Sequence, residues 1–370
     1  MSHRERILTA IDLREPDMVP ITDLALDPPI IEKITGKKME GFSYVGGSRG
    51  KKPWENSRKE ILALLEACRR LDFDAVNIED YVLTSKEYFP VFIDNETFVD
   101  EWGRIMKIRP DTKTTWWFGG TIDTPESIEN WNPPEASSPG RIELLERLIK
   151  ENKGELAVMG YTHIAFHFAW QVRGGIDRLI KDMYLNPNLA RKLLDKVFSS
   201  SFELAKLMMD TGVDILAVGD DYADSHGPLL SPKLFREFEL PYIRAVCNEA
   251  KRRGIPLWKH SDGNLYPIID DLITAGISGL HPIEPPVMNL AAIKEKYGDK
   301  IFLAGNVDCR HILPYGTEED VRTYVRGCID AAARGGGYVL TSSNSLHANV
   351  KVQNIYAMVD EARKYGKYGR

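Results

Sequence analysis

The chain has 370 residues, of which 43% are hydrophobic and 28% charged, and carries a net charge of −6. That balance supports a large buried core and excludes a disordered chain; without a basic surplus it also excludes a nucleic-acid binder. No apolar run reaches the length of about 18 residues that a membrane span needs, and the charged N-terminus "MSHRERILTAIDLREPD" lacks a signal peptide's apolar centre, so the chain reads as a soluble cytoplasmic protein.

Residues 2–13 carry a helical period and lead into "MVPITDLAL" (18–26), an apolar run of strand length. "RKEILALLEACRRL" (58–71) is helical and "DAVNIED" (74–80) follows as strand two. Residues 82–120, around "VFIDNETFVDEWGRIMKIRPDTKTTWWFGG", alternate between turn residues and predict a β-hairpin or meander inserted after strand two. Helix and strand then alternate. Helix 141–154 precedes strand 155–162, and helices 175–185 and 186–212 precede strand 213–221. A helix with a Ser231-Pro232 start and a Gly254 stop precedes strand 255–260. Three more helix–strand pairs end at 284, 308 and 343, and a closing helix begins at 353. Eight strand candidates separated by helices predict parallel pairing and a (β/α)8 TIM barrel, an α/β domain over residues 1–370 with an N-terminal helix. An open doubly wound sheet is the alternative, but no glycine-rich phosphate fingerprint follows an early strand.

Barrel enzymes carry their chemistry at the C-terminal strand ends. Those ends hold Asp23, then Glu79 and Asp80, His163, Asp220 and Asp221, His260 and Asp262, His281 and Glu284, Asn306 with Asp308 and Cys309, and Asn344 with His347. Polar groups recur at every end while the strand bodies are apolar, which predicts a polar pocket and an enzyme or small-molecule binder. Asp23, His163, Asn306 and Asn344 are candidate substrate contacts. Plain structural roles compete with each assignment. Asp262 and Asp308 lie in turn sequences and fit caps. His281 precedes a proline and fits packing or a carbonyl bond. Only one of Asp220 and Asp221 faces the axis of an extended chain; Asp221 is placed in the site and its neighbour in solvent or a cap. "GGSRGKK" (46–52) fits a solvated loop or a phosphate contact. Cys68, Cys247 and Cys328 fall in helical patterns and read as core, and the four cysteines form no CxxC pair.

The stretch "WKHSDGN" (258–264) holds two chemical options. Spacing by two puts His260 and Asp262 on one face of an extended backbone. With Cys309 and His347 from later strand ends, His260 would make a zinc site with an open position. Without metal, His260 would be a proton donor oriented by Asp262.

"FREFELPYIRAV" (235–246), "GNVD" (305–308) and "SSNSLHANVKVQNIYAMVDEARKYGKY" (342–368) resemble the uroporphyrinogen decarboxylase superfamily, best from about residue 210 onward. The resemblance implies an α/β barrel. Through "DAVNIED" it implies Asp80 as the catalytic aspartate, and through "DSHGPLLSPKLF" it implies Ser225, with His226 beside it, as a substrate contact. True decarboxylases have an arginine-rich N-terminal segment for the porphyrinogen carboxylates. The corresponding "ITDLALDPPIIEKITGK" has no arginine, so a polycarboxylate substrate loses its anchors. The other branch consists of methyltransferases that work with corrinoid proteins. Its thiol-methylating members hold zinc through His-x-Cys and a later Cys; here Asp262 replaces the first Cys, and Asn344 or His347 stands near the second, so the soft ligands are missing.

"DEWGR", "HSDGN", "GNVD" and "SSNSLH" are most similar to the subgroup linked to O-demethylation. What this implies is methyl transfer from a methoxylated, aromatic-type substrate to the cobalt of a partner corrinoid protein. His260 is then either a zinc ligand with Cys309 and His347 or an acid, and Asp80 and Asp221 are further catalytic candidates. Trp116, Trp117 and Phe118 either cover an aromatic substrate or pack the insertion. A small-acid decarboxylase using Asp80, a zinc-dependent thiol methyltransferase and a non-catalytic adaptor are the other readings, and a homodimer is compatible with all of them.

Overall fold

A computed structural model describes residues 1–40 and 52–369. The strands, numbered in chain order, are β1 (Ala75–Glu79), β2 (Val91–Phe92), β3 (Thr97–Val99), β4 (Arg104–Arg109), β5 (Thr114–Gly120), β6 (Ala157–Thr162), β7 (Ile215–Val218), β8 (Leu257–His260), β9 (Gly279–His281), β10 (Phe302–Val307) and β11 (Tyr338–Ser342). β1 and β6 to β11 pair in sequence order as one curled, all-parallel sheet of seven strands. Residues 20–22 join its two edges. Thr22 N donates to Leu340 O (3.2 Å), Leu340 N to Pro20 O (2.9 Å) and Asp74 N to Ile21 O (2.7 Å). The expected first strand is therefore reduced to isolated bridges, because Pro20 has no N–H to continue a ladder. The result is a TIM-barrel-like ring.

Alternation along the strands divides the core. Ala75, Met159, Tyr161, Ala217, Trp258, Phe302 and Val339 form an inner cluster, and Ile7 and Ile11 of the helix His3–Ile11 plug it from the N-terminal end. The intervening residues, such as Val158, Leu216 and Leu257, belong to the larger core under the helices. At the plugged end Asp74 is fully buried and accepts from Arg6 (2.6 Å), His3 (2.9 Å), Arg363 (3.0 Å) and the Ile21 N–H (2.7 Å).

The insertion is a four-stranded antiparallel meander, β2 to β5, rather than a hairpin. Phe98, Met106 and Ile108 fill its inner face against Phe92 and Trp117. Trp117 donates to Gln171 O (3.0 Å) and packs edge-on to Trp170, while Trp116 and Phe118 point to solvent, 42% and 52% exposed. The packing alternative therefore holds for Trp117, and none of the three covers the mouth. The helix expected over 231–254 breaks at Glu239, just before Pro241, into Pro232–Phe238 and Leu240–Arg252. Helices Pro28–Thr35 and Phe166–Arg173 went unforeseen. Residues 46–51 of "GGSRGKK" lie outside the described residues. Among the described residues no helix is long and apolar enough to cross a membrane.

Candidate functional site

The site begins where β7 ends. Gly219 passes so close to Tyr161 that an added Cβ would lie 2.2 Å from its hydroxyl oxygen. Asp220 then adopts a left-handed turn (φ 73°), a conformation that costs a non-glycine residue about 1–3 kcal/mol. Its carboxylate recovers part of this by accepting from the N–H groups of Ile164, Ala165 (2.9 Å), Phe166 and His167, at the start of helix Phe166–Arg173. The turn frees Asp221 to face the axis, so both adjacent aspartates have work, one as a cap and one in the site.

β8 delivers His260, 5% exposed. Its Nδ1 lies 2.8 Å from His281 Nδ1, and His281 Nε2 lies 3.1 Å from Thr341 Oγ1, which donates its own proton to Ser342 O (2.7 Å). The network assigns the tautomers. Thr341 accepts from His281 Nε2–H, His281 Nδ1 accepts from His260 Nδ1–H, and His260 Nε2 is left as a bare lone pair. Two carboxylates face that lone pair: Asp221 Oδ1 at 3.6 Å and Asp262 Oδ1 at 3.9 Å. Asp262 Oδ2 accepts from Asn344 Nδ2 (2.7 Å), but its Oδ1 is buried and has no hydrogen-bond partner among the described residues. Gly263 lets the loop reach this position. It has φ 87°, and a Cβ there would lie 2.5 Å from Ala223 C.

The charges of the cluster conflict. Burial, then the Asp221 and Glu284 carboxylates, pushes Asp262 up to about 8. Burial pushes His260 down to about 4 despite the attraction of Asp221. Burial also opposes ionisation of Asp221, yet His260, His167 and the Asp262 N–H hold it below its ordinary value. Three lone-pair atoms with one orphaned oxygen suit a cation. The set of one imidazole and two carboxylates fits zinc or another divalent ion of intermediate hardness, and it is the one such group of three among the described residues.

Beside the cluster opens a cavity of about 450 Å³, whose lining includes Leu26, Asp27, Glu79, Tyr81, Arg104, His163, His167 and His347. Tyr161 stands between the two regions, its ring centroid 5.3 Å from His163 and 6.4 Å from His260. Asp80 is closed on itself here. It accepts from His163 N (2.8 Å), His163 Nδ1 (3.0 Å) and Thr162 Oγ1 (3.2 Å). Burial disfavours charge on His163, but Asp80 overcomes it and raises the imidazole above its ordinary value. Both cations in the wall are engaged: Arg104 with Asp100 (2.6 Å) and Gln171 (2.9 Å), Lys113 with Glu32 (2.5 Å) and Met39 O (2.7 Å). Glu79 accepts from Tyr81 (2.9 Å), and burial, with the Asp80 charge adding to it, pushes it up to about 8.

Several sequence-based assignments change. Cys309 and His347 do not join His260. The Cys309 sulfur is held by the Ser343 hydroxyl (3.3 Å), and His347 Nε2 bonds the Cys309 carbonyl (2.7 Å). His347 instead lines the cavity, and Asp221 and Asp262 take the expected ligand places. Ser225 and His226 form an exposed turn whose side chains meet each other (3.3 Å), with 91% of the His226 side chain in solvent. Asn306 is a buried clamp that donates to Ile283 O (2.7 Å) and accepts from Cys328 (3.4 Å). Asp23 joins the ring by accepting from Ser342 N (2.9 Å), Ser342 Oγ (3.0 Å) and Leu24 N (2.9 Å). His163 and Asn344 do reach the site. His167, which stacks on His163 with ring centroids 4.5 Å apart, has no signal in the sequence pattern, because the helix that carries it begins only at Phe166.

This is a barrel with a histidine–carboxylate cluster and a cavity at its catalytic mouth. The chain belongs to the uroporphyrinogen decarboxylase family, whose model (Uroporphyrinogen decarboxylase, URO-D) matches residues 63–365. It is 25% identical over 262 residues to a uroporphyrinogen decarboxylase of Mannheimia succiniciproducens, covering 68% of this chain and 71% of that one. It is 25% identical over 247 residues to that of Aliivibrio fischeri, covering 63% and 66%. Among solved structures, a methyltransferase from Methanosarcina mazei superposes with a TM-score of 0.76 at 19% identity, over 99% of each chain. A B12-independent methionine synthase from Shewanella superposes with a TM-score of 0.53 at 12% identity, over 94% and 98%. These structural likenesses establish a shared fold.

Proposed function

We propose that this protein is a methyltransferase that moves a methyl group from a methoxylated small molecule to the cobalt of a corrinoid carried by a partner protein. The observation that carries this reading is the convergence of His260 Nε2, Asp221 Oδ1 and the orphaned Asp262 Oδ1 beside an open cavity. In the reaction the methyl C–O bond breaks, the electron pair of the partner's reduced Co(I) forms the Co–C bond, and the oxygen leaves with the C–O bonding pair and must be stabilised or protonated. Asp221, His260 and Asp262 would hold a divalent cation such as zinc, which would supply Lewis acidity toward that oxygen.

The chain's own groups do the rest. His281 and Thr341 orient the His260 lone pair, and Asn344 orients Asp262. His163, whose proton affinity Asp80 raises, lines the cavity and can protonate the departing oxygen. His260 thus acts as a ligand rather than as the acid.

The alternatives fare worse on specific grounds. Porphyrinogen decarboxylation needs free cations for carboxylates, and Arg104 and Lys113 are both engaged. Thiol activation prefers thiolate ligands, and Cys309 lies outside the cluster. The test is to mix the purified protein with a reduced corrinoid protein and a panel of methoxylated compounds. Methyl-cobalt absorbance and demethylated product in equal amounts are expected. Carbon dioxide release from a carboxylic acid, with no corrinoid needed, would replace this reading with a decarboxylase.

A further inference from the structure

Lys259 lies inside "WKHSDGN", one residue before His260, and is completely buried. Its Nζ donates to the carbonyl oxygens of Gly219, Asp220 (2.9 Å) and His260, and it sits 4.3 Å from the centre of the Tyr222 ring. An ammonium group has three N–H donors, so all three are engaged, and the side chain is not available as a base or nucleophile. The identity of the acceptors is what matters. Val218, paired with Lys259, is the last residue of β7 in the ladder, so Gly219 and Asp220 lie beyond it where the chain turns left-handed. The third acceptor belongs to His260 itself. One buried charge therefore ties the end of the strand that leads to Asp221 to the end of the strand that carries His260. Asp220 extends the tie, since its carboxylate caps the helix bearing His167 on the cavity wall.

We infer that Lys259 is a positioning residue, which holds Asp221 and His260 at the 3.6 Å separation that the cation cluster uses. The inference rests on the cation-site reading above for its purpose, but its geometry can be tested without any metal.

The experiment compares wild type with Lys259→Met, a neutral chain of similar length, and with Glu239→Gln. Glu239 is equally buried, and its carboxyl oxygens have no hydrogen-bond partner among the described residues, so this second variant disturbs the same layer without removing a donor to the three carbonyls. Cobalt(II) is titrated into each protein and followed by its d–d absorption, and the crystal structure of the metal-free Lys259→Met protein is determined. Expected are a loss of affinity of about tenfold or more in Lys259→Met, none in Glu239→Gln, and a widened Asp221–His260 separation. Unchanged affinity in Lys259→Met overturns the inference. If wild type binds no cobalt(II), the metal reading fails, and the crystal structure then decides: an unchanged separation overturns the inference and a widened one supports it. If Lys259→Met does not fold, Lys259→Gln, which keeps donors for two carbonyls, carries the same measurements.

Discussion

Each end of the barrel withdraws aspartate oxygens from water, and the two ends treat them in opposite ways. At the plugged N-terminal end, Asp74 accepts from two arginines, a histidine and a backbone N–H. At the mouth, Asp262, its side chain 26% exposed, has one amide donor, a buried oxygen with no hydrogen-bond partner among the described residues and the Asp221 carboxylate nearby. Asp74 loses all its hydration on folding and regains it from within the chain, whereas Asp262 loses part and regains it at one oxygen only. The difference separates charge that holds the fold from charge that waits for something outside it. This matches the general division of such barrels into a stabilising end and a catalytic end.

The largest effect should come from the closed end. Asp74→Ala leaves Arg6 and Arg363 without their buried partner and is expected to cost about 3–5 kcal/mol in urea unfolding. A cost below about 1 kcal/mol would remove the contrast. At the open end Asp262→Asn should change stability by less than about 1 kcal/mol, because it removes a carboxylate that burial and Asp221 already disfavour. Methyl transfer by the same variant should fall by about 100-fold or more, and an active variant would contradict the assignment. Asn344→Ala removes the support of Asp262 and should weaken cation binding by about 10- to 100-fold, read by calorimetric titration.

The ends should also answer pH with opposite signs. Burial opposes ionisation of Asp17, but the Arg6 guanidinium and the N-terminal ammonium win and hold it at about 2. Its contribution is thus complete above the unfolded value of about 4 and lost as pH falls toward 2; being partly exposed, it is worth at most about 1 kcal/mol. Glu79 at the mouth is raised to about 8 by burial and by Asp80, so the folded state keeps a proton that the unfolded chain releases. Its contribution to stability therefore falls as pH rises from about 4.3 to about 8. Denaturation midpoints of Asp17→Asn and Glu79→Gln against pH check both signs. The smallest effect is expected from Trp116→Ala and Phe118→Ala, which face solvent and should change stability by about 0.5 kcal/mol or less, with activity intact.

The sequence is most readable where period and composition carry the signal. Seven strands fall inside the predicted runs, because a buried parallel strand is an apolar segment bounded by helices. The apolar run 18–26 masked the reduction of the first strand to bridges, although Pro20 signals it, and the short helix Phe166–Arg173 hid His167 among aromatic residues. In the site, His260, Asp262, Asp221 and Asn344 were visible as polar strand ends. The ligand set was not, since whether Cys309 turns toward His260 depends on the Ser343 hydroxyl and on the carbonyl that occupies His347. Such choices are made by hydrogen bonds between distant segments and leave no spacing to read. Lys259 was invisible for the same reason, as its acceptors are backbone atoms.

The most direct test of the central claim is divalent-metal content and affinity in five alanine variants. One ion per chain is expected in wild type, Cys309→Ala and His347→Ala, and its loss in Asp221→Ala, His260→Ala and Asp262→Ala. No ion in wild type under metal-replete conditions, or loss of the ion in Cys309→Ala or His347→Ala, would contradict the cluster described here.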